Sequence, residues 1–320
     1  MGFRVPPMAG FGLFVLIGLS ACSTLSPVSG LRESPPKTAG GIGDVRAEWQ
    51  PFAVGESSGL AYFAGRTGEP LLEFHALRIG LDSPDLRILV GAGEGDGGDK
   101  GEDGEGGEPP VRAVYVSSFV RNNGLLAGIN AVPFEPSSDR EGEKRRLTGL
   151  AVSEGRLIAK PVPRYAALVF YGRGEAAIVE QAELDTPPPD RPDPLEGIEN
   201  AVGGFHVILR NGELTRRARE RRNGPRSARS AAGLSKEGKT LYLLVIDGKR
   251  LGSPGATEAE TALILKQLGA EEGINLDGGG SSALALRFPD GETRLVNTPV
   301  HQIIPGRERA VAVCLGIGTK

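Results

Sequence analysis

The segment Gly273-Ile-Asn-Leu-Asp-Gly-Gly-Gly-Ser-Ser-Ala-Leu284 joins two short apolar runs through a carboxylate, three consecutive glycines and two hydroxyl groups. Glycine loses more backbone freedom on folding than any other residue, so three in a row are retained where side chains would obstruct something. The obstructed group is either a neighbouring strand at a tight turn or a ligand that approaches the backbone. With Asn275 and Asp277 beside the glycines, the segment is a candidate site between two strands.

The composition around this segment favours strands. The 320-residue chain contains 48 Gly and 24 Pro, and its apolar runs are short. Leu241–Ile246 is continuously apolar, which predicts a central strand. Thr257-Glu-Ala-Glu260 has the pattern of a helix capping box and Gly269 is a helix stop signal, so a helix is expected between them. The sequence therefore predicts an α+β fold of mostly antiparallel strands in curved sheets, packed with one or two main helices.

Other apolar runs bounded by turn residues are predicted to be strands and hairpins. They include Leu71–Ile79, Pro84–Val90, Val202–Leu209 with an Asn211-Gly212 turn, Ser282–Phe288 with Thr293–Asn297, and Ala310–Leu315 as the last strand.

The beginning of the chain has the pattern of an export signal. Arg4 precedes the apolar run Phe11–Leu19, which is too short for a permanent membrane span, and Leu19-Ser-Ala-Cys22 resembles a bacterial lipoprotein cleavage site. We expect a signal peptide over residues 1–21, a lipidated Cys22 (palmitate-bearing), a flexible tether over 22–45 and an extracytoplasmic domain over 46–320 held at a bacterial membrane. The alternative is an ordinary secretory signal in which the cysteine occurs by chance.

Only one other cysteine is present, and its neighbours are apolar. Cys314 lies within the run Ala310–Leu315, so we predict a buried structural thiol and not a nucleophile. If Cys22 carries lipid, Cys314 has no partner for a disulfide within the chain. The fold must then be held together by its core.

Charge is concentrated in two opposed blocks. Glu94–Glu108 holds seven acidic residues and one Lys among glycines, which predicts a disordered loop at about 92–110; a calcium-binding repeat is the alternative, although coordination spacing is lacking. Arg210–Arg229 holds eight Arg against two Glu, as either a solvated face or a wall that faces an anion. The net charge of −3 predicts no nucleic-acid partner.

No group of His, Cys and Asp residues has the spacing of a zinc site. A calcium or magnesium ion held by Asp247 or Asp277 stays open, and no cofactor is otherwise expected. The sequence leaves the oligomeric state undetermined.

Several segments resemble the phosphodiester glycosidase family in their order and spacing, and Asp277-Gly-Gly-Gly-Ser-Ser282 is the most specific of them. One departure is Asn130-Ala-Val-Pro-Phe134, where the family usually has an Asn-Gly-Gly-Phe-Phe type of segment. The resemblance implies a hydrolase that acts on sugar phosphodiesters. The matching segments are Arg229-Ser-Ala-Ala-Gly233, Asp247-Gly248, Gly255-Ala-Thr-Glu-Ala-Glu260, Leu268-Gly-Ala270, Asn275–Ser282, Asn297-Thr-Pro299 and Glu308-Arg309, with fainter matches at Gly203-Gly204 and Asn130.

Such a reaction must stabilise negative charge on phosphate and positive charge on the sugar ring. Arg229 suits the first task, and Asp277, as base or nucleophile, suits the second; Asp247 is a further catalytic candidate. Asp277 and Asp247 can alternatively cap turns, Arg229 can pair with a carboxylate, and the capping box already explains Glu260. Candidate substrate-binding residues are Asn130, Gly204, His206, Glu260, Asn275, Gly278, Gly279, Gly280, Ser281 and Ser282.

These features predict a hydrolase that cleaves a glycosidic bond to phosphate in a cell-envelope or environmental glycan. One alternative is a non-catalytic lipoprotein that binds glycan or phosphate, which the altered segment after Asn130 favours. Another is a protein that processes exopolysaccharide or peptidoglycan without phosphodiester chemistry. A serine-hydrolase role for Ser282 is disfavoured because no Gly-x-Ser-x-Gly elbow is present. The catalytic hypothesis requires Asp277, Arg229, Asp247 and Asn130 to converge on one pocket.

Overall fold

The computed structural model describes residues 50–51, 59–93, 110–185 and 193–320. The expected signal peptide, Cys22, the tether and nearly all of the acidic loop lie outside these ranges. All described residues belong to one compact unit, Pro35–Lys320. Among them, no helix combines the length and the apolar character needed to cross a membrane.

The described elements are mostly short strands. In chain order they are β1 Gln50–Pro51, β2 Leu60–Arg66, β3 Glu73–Gly80, β4 Leu86–Gly91, β5 Val111–Arg112, α1 Val116–Asn122, β6 Ala127–Asn130, β7 Phe134–Glu135, β8 Lys144–Leu147, β9 Ala151–Ser153, β10 Arg156–Ala159, β11 Ala166–Tyr171, β12 Glu175–Glu180, α2 Ala182–Asp185, β13 Ile198–Gly204, β14 His206–Arg210, β15 Glu213–Leu214, α3 Arg216–Glu220, β16 Arg229–Leu234, β17 Thr240–Ile246, α4 Glu258–Leu268, β18 Glu272–Asn275, β19 Leu284–Arg287, β20 Thr293–Leu295, β21 Val300–His301, β22 Ile304–Pro305 and β23 Cys314–Thr319, with 3₁₀ turns at Gly172–Gly174 and Gly279–Ser281.

The strands form one large sheet and two smaller ones, and neighbouring strands within them pair antiparallel. The main sheet has the order β1-β2-β3-β17-β16-β18-β14-β15, the second sheet β10-β9-β13-β11-β12 and the third sheet β20-β19-β6-β23-β4. The small pairings β21-β22 and β5-β8-β7 lie beside them. The predicted α+β fold is confirmed, and β17 is the central strand that the run Leu241–Ile246 predicted.

The two faces of the main sheet bury different partners. On one face, Ala232 and Ile274 belong to an apolar core shared with the second and third sheets. On the other face, Ala231 and Ile208 pack in a separate core with Leu265 of α4. Successive residues of a strand point to opposite faces, so the register decides which side chains meet α4.

Helix α4 has the ends that the sequence predicted. The Thr257 hydroxyl accepts from the Glu260 N–H at 3.2 Å, and the Glu260 carboxylate accepts from the Thr257 N–H at 2.9 Å. These bonds satisfy N–H groups that the first helical turn leaves without partners. Gly269 ends the helix with φ of 110°, a left-handed conformation that costs glycine little.

Two strand predictions are wrong in their bounds. The run Val202–Leu209 is divided at Phe205 between β13 of the second sheet and β14 of the main sheet. An apolar run does not show where a chain leaves one sheet for another. The last strand begins at Cys314, because Ala310–Val313 passes between elements with only a bridge from Val311 to Val114. Cys314 is buried and unpaired, and burial raises the pKa of its thiol, as expected of a structural cysteine.

Candidate active site

The glycine turn that follows β18 is held by the backbone of neighbouring segments. Asp277 donates its N–H to Ala131 O at 2.9 Å, and Gly279 donates to Ala228 O at 2.8 Å. A Cβ on Gly280 would lie 2.5 Å from Arg309 Nη2, and Gly279 has φ of +64°. Gly279 is therefore favoured by its backbone conformation, and a side chain on Gly280 would displace the Arg309 guanidinium group.

The Asp277 carboxyl group is partly buried beside this turn. Burial raises its pKa to about 6, although a hydrogen bond from Ser281, the charge of Arg309 and a bond from the Gly278 N–H oppose that shift. A carboxyl group with such a pKa is ionised at neutral pH and can still accept a proton in a reaction.

Arg309 is the cation whose positive charge acts on the Asp277 carboxylate. It was not among the site residues predicted from the sequence. Its Nη1 donates to Ser281 Oγ at 3.2 Å and its Nε donates to His301 Nδ1 at 3.0 Å. Ser281 thus links the guanidinium group to the carboxylate. The only sequence signal for Arg309 was the family-like pair Glu308-Arg309, and His301 had none.

Arg229 lies next to Asp277 on the neighbouring strand. Leu276 donates its N–H to Ser230 O at 2.9 Å, which continues the β16–β18 pairing and brings Arg229 beside Asp277. Arg229 Nε donates to Ala256 O at 2.8 Å and its Nη2 donates to Pro225 O at 3.1 Å. A guanidinium group has five N–H donors, so this fixed side chain keeps donors for a ligand.

Asn130 lies beneath the turn and is fully buried. Its Nδ2 donates to Asp277 O at 2.6 Å, while its Oδ1 accepts from Ser230 Oγ at 2.7 Å and from Ala283 N at 3.1 Å. These bonds join β6 to β16 and to both ends of the glycine turn. The structure therefore gives Asn130 protein partners in a supporting position, whereas the sequence analysis predicted contact with substrate.

Asp247 is buried at the end of β17 and is held by its own partners. Its carboxylate accepts from Thr298 N at 3.1 Å, from Asn297 Nδ2 at 3.3 Å and from Arg250. The same Asn297 Nδ2 donates to Ser282 O at 3.1 Å, so Asp247 reaches the glycine turn through Asn297. Its side chain shares no hydrogen-bond partner with the Asp277 carboxylate among the described contacts.

Glu260 is likewise engaged elsewhere. Besides the capping box, its two carboxylate oxygens accept from Arg226 at 2.6 and 2.9 Å. This arrangement matches the structural alternative for Glu260. Of the predicted site residues, the structure gathers Asp277, Ser281 and the three glycines at one place, and only the backbone of Arg229 is shown beside them. The side chains of Arg229, Asp247, Glu260 and Asn130 bond to partners other than the Asp277 carboxylate, so the cation linked to that carboxylate is Arg309.

Asn275 lies two residues before Asp277, and His206 is its cross-strand partner. Gly204 precedes them where β13 ends, and a Cβ there would lie 2.7 Å from Asn275 O. His206 Nδ1, Asn275 Oδ1, Ser282 Oγ and His301 Nε2 are buried and have no hydrogen-bond partner among the described residues. Buried polar atoms are nearly always paired, so their concentration around the turn is typical of a binding site.

A resident metal has little support in these residues. Within the described ranges, no three His, Cys, Asp or Glu side chains are grouped so that they could hold a metal ion. The calcium or magnesium ion considered from the sequence stays a prediction.

Comparison with solved structures shows the same fold in other proteins. The catalytic domain of zebrafish N-acetylglucosamine-1-phosphodiester alpha-N-acetylglucosaminidase, auto-inhibited by its pro-peptide, matches with a TM-score of 0.57 and 20% identity over 86% of this chain and 88% of that domain. A hypothetical protein from Synechocystis matches with a TM-score of 0.58 and 14% identity over 82% of this chain. The match spans 62% of the Synechocystis protein. No curated protein matches the chain.

The sequence model of the phosphodiester glycosidases matches residues 123–318, which is more than half of the chain. The match includes the glycine turn, Asp277, Arg229 and Arg309. This chain belongs to the phosphodiester glycosidase family.

Proposed function

We propose that this protein hydrolyses the glycosidic bond between a sugar and phosphate in a sugar phosphodiester of a cell-envelope or environmental glycan. The observation that carries the proposal is the Asp277–Ser281–Arg309 arrangement. Ser281 is hydrogen bonded to the Asp277 carboxylate and accepts from Arg309 Nη1 at 3.2 Å. A base or nucleophile is thus held beside a cation that can neutralise phosphate.

In the proposed reaction, water replaces phosphate at the anomeric carbon. The bond from that carbon to the bridging oxygen breaks, its electron pair leaves with the phosphate monoester, and the water oxygen bonds to the carbon. Ordinary glycosidases use a second carboxyl group to protonate the leaving oxygen. Phosphate leaves as a stable anion, so the proposed site needs stabilisation of negative charge more than a proton donor, and arginine supplies it.

Asp277 takes part through its ionised form. With a pKa of about 6, it is a carboxylate at neutral pH. It accepts the proton of the attacking water in a one-step route, or attacks the anomeric carbon itself in a two-step route. The anomeric configuration of the first product, followed by NMR, distinguishes the two routes.

The assay uses the purified protein with a panel of hexose 1-phosphodiesters, with EDTA or with added Ca²⁺ or Mg²⁺. We expect turnover by the native protein and a loss of at least about a hundredfold in Asp277→Asn. Asp290→Asn is the matched control, because Asp290 is an exposed aspartate paired with Arg294. Turnover that is unchanged in Asp277→Asn would exclude the catalytic assignment.

The assay also separates the alternative functions. Sugar-phosphate binding without turnover by the native protein supports a non-catalytic binding lipoprotein. Release of sugars from exopolysaccharide or peptidoglycan, with phosphodiesters left intact, supports a glycan-processing role without phosphodiester chemistry.

We further propose that the protein acts outside the cytoplasm from a lipid anchor at Cys22. The support is the sequence pattern from Arg4 to Cys22. Cys22→Ser should abolish labelling of the protein by palmitate, while the unsubstituted protein is labelled. If palmitate still labels Cys22→Ser, the lipid anchor is not at this residue.

A further inference from the structure

Three buried polar atoms without hydrogen-bond partners among the described residues lie near the first turn of α4. They are Asn275 Oδ1, Glu258 Oε2 and His206 Nδ1. Asn275 and Glu258 are only 2% and 5% exposed. Leaving a buried acceptor unpaired costs free energy, so several of them close together indicate a ligand.

The strand register places two of these residues side by side. His206 of β14 lies opposite Asn275 of β18, and Ala231 of β16 lies on the other side of Asn275. Ala231 and Ile208 pack in the α4 core. Because alternate residues of a strand share a face, His206 and Asn275 also point to the α4 face.

Glu258 of α4 lies near the cross-strand pair of His206 and Asn275. It is the first residue of α4, and its Oε1 accepts from Arg221 Nη1 at 2.9 Å, which leaves Oε2 unpaired. Burial lowers the pKa of both His206 and Arg229, and the charge of Glu258 opposes that shift in each. The carboxylate therefore lies within electrostatic reach of His206 on one side and of Arg229 on the other.

Aromatic rings border the same place. The rings of Tyr165 and Phe205 meet edge to face at 5.6 Å, and Phe205 stacks beside His206 at 6.2 Å. Phe205 also donates its N–H to Asn275 O at 2.8 Å. All three rings are partly exposed, so they form a wall with an apolar surface next to the unpaired polar atoms.

We propose that Glu258, Asn275 and His206 form the subsite for the sugar ring of the substrate, with Tyr165 and Phe205 as its wall. This proposal rests on the function proposed above and extends it. Ring hydroxyl groups donate to Asn275 Oδ1 and Glu258 Oε2, and the C–H face of the ring packs against the aromatic wall. The subsite orients the sugar so that its anomeric carbon faces Asp277, which follows Asn275 by two residues.

The polarity of the two parts of the site supports this orientation. Two of the three unpaired atoms are acceptors, and one belongs to a carboxylate, which repels phosphate and favours O–H donors. Arg309 and Ser281 supply donors at the Asp277 carboxylate itself. The ion pair with Arg221 is a structural role for Glu258, but it uses one of the two oxygens.

The test measures binding of α-glucose 1-phosphate, its monodeoxy analogues and inorganic phosphate to the purified full chain by calorimetry. At least one monodeoxy analogue should bind the native protein about tenfold more weakly than the parent sugar phosphate. That difference should disappear in Glu258→Ala or in Asn275→Ala, while inorganic phosphate binds all variants equally. Glu220→Ala, an exposed acid on α3, is the matched control. Thermal melts identify any variant that is unfolded.

The possible results are distinguishable. Native protein that binds phosphate but shows no preference among the sugars overturns the subsite and leaves the anion-binding half of the proposed function standing. If the protein turns over substrate but the deoxy analogues bind both variants as weakly, relative to the parent sugar phosphate, as they bind the native protein, the subsite alone is overturned. If the weaker binding of a deoxy analogue disappears in Glu258→Ala or Asn275→Ala but the native protein shows no turnover, the subsite is supported and the proposed hydrolysis is overturned. Stabilisation by Ca²⁺ or Mg²⁺ that Glu258→Ala abolishes, without sugar binding, assigns the unpaired oxygens to a cation and overturns the proposal.

Discussion

Asn130 Nδ2 donates to the main-chain carbonyl of Asp277 across 2.6 Å, although 147 residues separate the two in sequence. The bond is partly buried, and the other end of the amide holds Ser230 and Ala283 through buried bonds. The position of the proposed catalytic aspartate is therefore set from below by a side chain that has no free acceptor for substrate. Rigid support of this kind keeps a reactive group in its productive geometry.

Asn130→Ala should lower the free energy of unfolding by about 2–4 kcal/mol, because it leaves a carbonyl, a hydroxyl and an N–H buried without partners. Urea denaturation measures the change. Asn122→Ala, an exposed asparagine at the end of α1, is the control and should change stability little. Equal effects of the two substitutions would show that Asn130 is not a structural connection.

The rate of hydrolysis should rise with pH through about 6. The Asp277 carboxylate is the reactive form in both proposed routes, and burial raises its pKa to about 6. The positive charge of Arg309 favours the ionised form, so Arg309→Gln should move this limb of the kcat/KM profile to higher pH. If this limb of the kcat/KM profile stays at the same pH in Arg309→Gln, the group that titrates is not Asp277.

Gly280→Ala should reduce kcat/KM by about a hundredfold, because the new methyl group would lie 2.5 Å from Arg309 Nη2 and displace the guanidinium group. Steady-state kinetics with a sugar phosphodiester measures the loss. Gly68→Ala is the control, since nothing lies within 4 Å of a Cβ there. Full activity in Gly280→Ala would mean that the position of Arg309 is unimportant.

Asp277→Asn should make the folded protein more stable at pH 8 and leave its stability unchanged near pH 4. The folded-state pKa of Asp277 is raised, so ionisation destabilises the folded protein as pH rises from the usual pKa of an aspartate to about 6. The expected gain at pH 8 is about 3 kcal/mol, or several degrees in Tm. Asp290→Asn should give no such gain, because Arg294 lowers the pKa of Asp290.

Local sequence patterns predicted the elements that carry the site. The capping box and Gly269 predicted both ends of α4, the apolar run Leu241–Ile246 predicted the central strand, and the glycines predicted the turn. These features depend on hydrogen bonds and backbone conformations within a few residues. The exchange between sheets at Phe205 was missed because an apolar run has the same pattern in either sheet.

The amino-acid sequence by itself determined the α+β fold, the capped helix, the family and the position of Asp277 on a glycine turn. Only the tertiary structure decided which side chains meet that aspartate. Strand order and register brought Asn130 beneath it and linked Arg309 to it through Ser281, with His301 bonded to Arg309. They also placed Glu258 within electrostatic reach of His206 and Asp247 in contact with Asn297. The physical reason is that local patterns fix the face and the ends of an element, whereas its partners depend on how distant elements pack.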